Sequence, residues 1–176
     1  MMKSLKIISV SSIILATVGC SAVSYQPMGF RGGYSDTQLN DSTFRVHYAG
    51  NGDVTLEKAT DFALLRSAVI AQQHGSQLFS SQEYSSRVSK VYAGTPGVYV
   101  YKPSVYVNIE LNNEINESDK VAECSTFYSM FSTLVALKGS APYTFNTHAC
   151  IQQLQQKYQL TNEQVYDIKS SKVERS

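Results

Sequence analysis

The sequence predicts an α+β fold, a single small domain in which a mixed or antiparallel sheet carries helices largely on one face. Three observations predict it. Residues 43–48 alternate apolar and polar side chains, residues 55–74 carry a broad apolar stripe at helical spacing, and residues 105–112 alternate again before helical patterns close the chain. Strand, helix, strand, strand and then helices is the order of an α+β sandwich, and no internal repeat or second domain is visible.

In the first of these segments Phe44, Val46 and Tyr48 share one face and Arg45 and His47 the other, the pattern of a half-buried strand. The strand ends at Gly50-Asn51-Gly52, read as a strand-to-helix turn; it lacks the Lys and Ser/Thr spacing of a phosphate loop. Thr55 is placed to cap the helix that follows, Glu57 has the favourable sign for its first turn, and Gly75 suits a left-handed stop. Ala59, Phe62, Ala63, Leu65 and Val69 make its stripe wide enough to lie on a sheet. Arg66 falls within this apolar region and is expected to snorkel or to pair with a carboxylate near the sheet edge.

Leu78-Phe79 begins a further extended segment, but residues 80–90 are serine-rich and poorly periodic. After the Thr95-Pro96-Gly97 turn, Val98-Tyr99-Val100-Tyr101 reads as one extended piece, Lys102-Pro103-Ser104 as a break, and residues 105–112 as a second piece. In that second piece Val105, Val107, Ile109 and Leu111 oppose Tyr106, Asn108, Glu110 and Asn112, which suggests an antiparallel neighbour. Residues 125–138 read as a buried helix, residues 149–158 as a short Gln-rich one, and Thr161 with Gln164 as the capping box of a last helix. Residues 169–176 are a polar tail.

The chain opens with Lys3 and Lys6, then an apolar run of about a dozen residues interrupted by serines, then Gly19-Cys20. A spanning helix needs roughly 20 mostly apolar residues, so residues 1–19 are read as a cleaved signal peptide. Gly19-Cys20 resembles the end of the bacterial lipobox, although Thr17 stands where that pattern prefers an aliphatic residue. The resemblance implies acylation of Cys20 and, with Ser21 rather than Asp behind it, an outer-membrane lipoprotein facing the periplasm or the cell surface. The membrane partner is then met through acyl chains, each buried methylene adding about 0.8 kcal/mol. Residues 20–36 are read as the lipidated N-terminus and a tether, although Tyr25, Phe30 and Tyr34 give it rings that can fold back on a domain spanning residues 37–168.

Removing residues 1–19 from the 176 leaves 157, enough for a real core, and takes Lys3 and Lys6 with it. The remaining 13 basic and 14 acidic residues give a net charge of −1, which argues against nucleic acid as a partner. With Cys20 assigned to lipid, Cys124 and Cys150 are an even pair in an oxidising compartment and are read as a disulfide.

Gly33-Tyr34-Ser35-Asp36-Thr37, Gly50-Asn51-Gly52 and Leu64-Leu65-Arg66-Ser67-Ala68 together resemble a family of small proteobacterial envelope lipoproteins of unassigned function. In that family a G-Y-S-D-T start precedes a strand, a G-N-G turn and a helix bearing L-L-R-A-A; Ser67 departs from the alanine of that pattern. The resemblance covers about residues 33–80 and implies an envelope location and a common fold, without a chemistry.

The candidates for chemistry are few. His148 and Cys150 are two residues apart and so diverge on a helix or a strand, and a disulfide would consume both thiols. His47, His74, His148 and the cysteines lack the close spacing of metal ligands, so neither a metal nor a cofactor is expected. The best binding candidate is a stripe of Tyr99, Tyr101 and Tyr106 with Asn108, since tyrosine offers broad contact and a polar handle; cross-strand pairing beneath a covering helix is the alternative. The expectation is a non-catalytic envelope lipoprotein that binds a protein partner or a cell-wall component such as peptidoglycan. A structural or stress-related accessory role and a cell-wall-directed hydrolase are the alternatives.

Overall fold

The computed structural model describes residues 22–114, 120–130 and 142–167. The expected signal peptide, Cys20, the polar tail and most of the helix expected over 125–138 lie outside the described residues. The fold is α+β.

The alternating segment forms β2 (Thr43–Ala49), with Phe44, Val46 and Tyr48 buried. It is preceded by β1 (Gly33–Gln38), which pairs with it antiparallel through a turn in which the Asn40 side chain accepts from the Ser42 and Thr43 amides. After β2 the chain rises into α1 (Leu56–Gln73). The Thr55 hydroxyl caps α1 by accepting from the Lys58 amide, and Gly75 at φ +69° follows its end. Two long strands follow, β3 (Leu78–Tyr92) and β4 (Tyr99–Asn112), joined as a hairpin. Then come β5 (Lys120–Val121), a 3-10 turn at Cys124–Thr126, β6 (Tyr143–Asn146), α2 (Thr147–Tyr158) and α3 (Asn162–Tyr166).

The sheet order is β1-β2-β4-β3-β6-β5, antiparallel except where β5 runs parallel to β6 at the edge. Both β2 and β3 flank β4 antiparallel, so they run parallel to each other and need a crossover. That crossover is α1. It lays its stripe across the sheet face formed by Phe44, Val46, Tyr48, Val105, Val107 and Ile109, and α2 packs beside it on the same side. The buried hydroxyls of Thr60 and Ser67 donate to carbonyls one turn back in α1, so neither is left unsatisfied.

The structure differs from the sequence reading in three places. Residues 22–36 are not a free tether from end to end: Val23, Tyr25 and Tyr34 are in the core, and Tyr25 packs on the Tyr34 and Phe62 rings at 4.6 and 5.5 Å. The turn that returns this segment requires Gly33, whose φ is +136°; a Cβ there would stand 2.5 Å from the Gln26 carbonyl oxygen. Residues 80–90 are not irregular but the middle of β3, where the register shifts between Ser81 and Glu83; this bulge hides the alternation.

The break expected at Lys102-Pro103-Ser104 is also absent, because β4 runs unbroken through it. In an antiparallel strand the N–H and C=O of one residue point to the same side. The Gly50 amide donates to the Pro103 carbonyl at 2.9 Å, so proline's missing N–H faces the side where β2 has ended and costs the β3–β4 ladder nothing.

Candidate functional site

Beyond Ser81, where β6 stops, and before Ser104, where β2 stops, β3 and β4 continue as a hairpin arm extending past the neighbouring strands. On β4 the unbroken alternation puts Tyr99 and Tyr101 in phase with Val105 and Val107, the helix-bearing face, and Tyr106 and Asn108 on the other. The four residues therefore do not form one stripe, as the expected break at Pro103 had allowed. They belong to two surfaces.

The first surface is the continuation of the core face along the arm. There Val88, Tyr92, Tyr99 and Tyr101 are 40% exposed or more, Tyr92 and Tyr101 each 55%. Tyr92 and Tyr99 are cross-strand partners with rings edge to face at 6.1 Å, and the Lys90 ammonium lies 3.9 Å from the Tyr99 ring centre. Val91, opposite Val100, is exposed as well but on the other face of the arm. Scattered exposed apolar residues are ordinary, but four on one face of one hairpin form a patch.

The second surface is the outer face of the sheet, organised by register into two rows of cross-strand neighbours. In one, Asn108 sits between Arg45 and Glu83; it accepts from Arg45 Nε at 3.0 Å and donates to Glu83 Oε2 at 2.6 Å. In the other, Tyr106 sits between His47 and Ser85. The His47 ring stacks on Tyr106 at 4.0 Å and 4° between planes, and its Nε2 lies 2.9 Å from the Ser104 hydroxyl. Burial holds the His47 pKa below the ordinary imidazole value. Ser85 is small, so the side of Tyr106 away from His47 is left open. A cup of about 220 Å3 forms there, lined by Arg45, Glu83, Ser85, Tyr106 and Asn108.

No family model, curated protein or solved structure matches the chain.

The remaining sequence candidates are dispersed. His74 ends α1 with its ring 4.8 Å from Phe44, and exposed His148 borders a hollow beside Gly75 and Gln77. Among the described residues no three His, Cys, Asp or Glu side chains converge as metal ligands, and no helix is long and apolar enough to cross a membrane. Cys124 and Cys150 form a disulfide that joins the 3-10 turn to α2. Arg66 pairs with Asp36 at 2.6 Å across the Tyr34 ring, tying α1 to β1 as its place in the apolar stripe suggested.

One buried charge escaped the sequence reading. Asp61 in α1 is fully buried; its Oδ2 accepts from Lys157 Nζ and the Tyr158 hydroxyl, both at 2.7 Å, and Lys157 also reaches Glu57. Burial pushes the Asp61 carboxyl up, opposed by those two hydrogen bonds, whereas on Lys157 the bonds to Asp61 and Glu57 outweigh burial and raise it. This is a clamp between α1 and α2 and touches none of the cavities described above.

Of the cup's lining, Arg45 was legible on the polar face of its strand. Glu83 and Ser85 were not, because the bulge at Gln82 disguises the phase of β3.

Proposed function

We propose that this protein is a non-catalytic outer-membrane lipoprotein, held by acyl chains on Cys20, whose domain binds a protein partner of the envelope through the hairpin arm. The exposed apolar and aromatic patch of Val88, Tyr92, Tyr99 and Tyr101 on the arm carries this reading. Tyrosines held on a rigid β-hairpin lose little entropy on binding, and a flat aromatic surface suits a protein better than a small molecule. His47 meets the Ser104 hydroxyl, but its ring lies flat on Tyr106 and, among the described residues, no carboxylate is bonded to it to complete a catalytic set. The basic start of the chain, the short apolar run and Gly19-Cys20 support the anchor.

The test is in-cell crosslinking of the full-length protein beside two variants, Cys20→Ser and the double variant Tyr99→Ser with Tyr101→Ser. A reproducible set of captured proteins that is lost in both variants is the expected result. Both tyrosines are about half exposed and Tyr99 packs on Tyr92 and Lys90, so the double variant should stay folded and lose no more than about 2 kcal/mol of unfolding free energy. Capture unchanged by the arm substitutions would remove the arm from the proposal.

A further inference from the structure

From the cup on the outer face of the sheet we infer a second binding site, for a single uncharged, hydroxyl-rich sugar ring within a longer glycan. The site is separate from the arm patch, since Tyr106 and Asn108 point away from the face that carries Tyr99 and Tyr101.

The chemistry of the lining selects the ligand. Arg45 spends only Nε on Asn108 and leaves its two Nη groups as donors, while Glu83 spends Oε2 and leaves Oε1 as an acceptor. Asn108 holds both side chains in place with its amide used on each side, so it orients the row. A cation and an anion on one rim offset each other, which disfavours a charged ligand of either sign. Hydroxyl groups both donate and accept, so a sugar ring can satisfy the guanidinium and the carboxylate at once.

The opposite wall is Tyr106, 43% exposed and fixed in orientation by the parallel His47 ring behind it. An aromatic face held in advance receives the C–H face of a pyranose with little ordering cost. Ser85, next to Tyr106 in the same row, is small enough to leave the cup open. At about 220 Å3 the cup is smaller than a typical ligand pocket of roughly 300–1,000 Å3, which fits one ring of a chain that continues across the open sheet.

The full-length protein, labelled with 15N and held in detergent micelles, is titrated with a tetramer of β1,4-linked N-acetylglucosamine and separately with maltotetraose, following backbone amide shifts. Saturable shifts at Arg45, Ser85, Tyr106 and Asn108 with either sugar, weak in the millimolar range, are the expected result. Tyr106→Ser should weaken binding about tenfold. Ser85→Leu, which fills the cup from an exposed position, should abolish it while leaving the Tyr92 and Tyr99 signals in place. Absence of saturable shifts with both sugars up to about 10 mM, or shifts that survive Ser85→Leu, overturns the site. Protein capture by the arm is read separately in cells, so failure of either site leaves the other standing.

Discussion

His47 shows how a single side chain on the outer face links burial, charge and shape. Its ring is half-covered by Tyr106 and touches the Ser104 hydroxyl, and burial lowers its pKa from the usual 6.5. The unfolded chain, in which His47 titrates near that usual value, therefore binds more protons than the folded one in the window just below it. Stability is fully present above about pH 6.5 and is lost as pH falls through the lower, folded value. Urea unfolding at a series of pH values should show this loss, and His47→Gln should flatten that part of the profile. A substitution that keeps the ring flat but cannot gain charge separates the electrostatic part from the packing: His47→Phe should flatten the profile while preserving the Tyr106 stack.

Among the elements, α1 and α2 are joined by a buried charge as well as by apolar contact. Lys157→Met removes both of its ion pairs and leaves the Asp61 carboxylate, fully buried, with Tyr158 as its hydrogen-bond donor. A cost of about 3 kcal/mol near neutral pH is expected, in the range for stripping one partner from a buried pair. The Asp61 pKa is already raised, so as pH falls the carboxyl takes a proton and the cost of losing Lys157 shrinks. Denaturation midpoints of parent and variant should converge toward acid; a constant difference would mean that Lys157 acts through packing alone. The arm follows a different rule. Beyond Ser81 the outer edge of β3 has no strand beside it among the described residues, yet it carries a bulge, Arg87 and Lys90, features that discourage strand addition.

For the whole molecule, the helical side depends on closure of the chain between the 3-10 turn and α2. The Cys124–Cys150 disulfide has a sequence separation of 26, which corresponds to about 3.5 kcal/mol of loop entropy removed from the unfolded state. Both sulfur atoms lie in the core, so reduction should be slow in the native protein and should follow unfolding. Urea titrations with and without reductant are expected to differ by about that amount, and the double substitution of both cysteines by alanine should reproduce the reduced curve. A difference well under 1 kcal/mol would mean that the unfolded chain is already compact around this segment.

What the sequence determined was local. Thr55, the stripe from Ala59 to Val69 and Gly75 define α1 because cap, amphipathic face and stop all lie within one element. Thr161 and Gln164 announce α3 for the same reason, and the even pair left when Cys20 is set aside announced the disulfide. The tertiary structure decided what depends on strand pairing. The partner of Arg66 is Asp36, thirty residues away, and only the β1–β2 pairing brings it under α1. Pro103 looked like an interruption, but its empty N–H side faces the end of β2, so β4 keeps its phase and separates Tyr99 and Tyr101 from Tyr106 and Asn108. The cup was likewise hidden, since Arg45, Glu83 and Ser85 meet only once the bulge sets the register of β3. Helix signals are written in neighbours three and four apart, whereas a sheet surface is assembled from residues tens of positions apart, whose register no single strand contains.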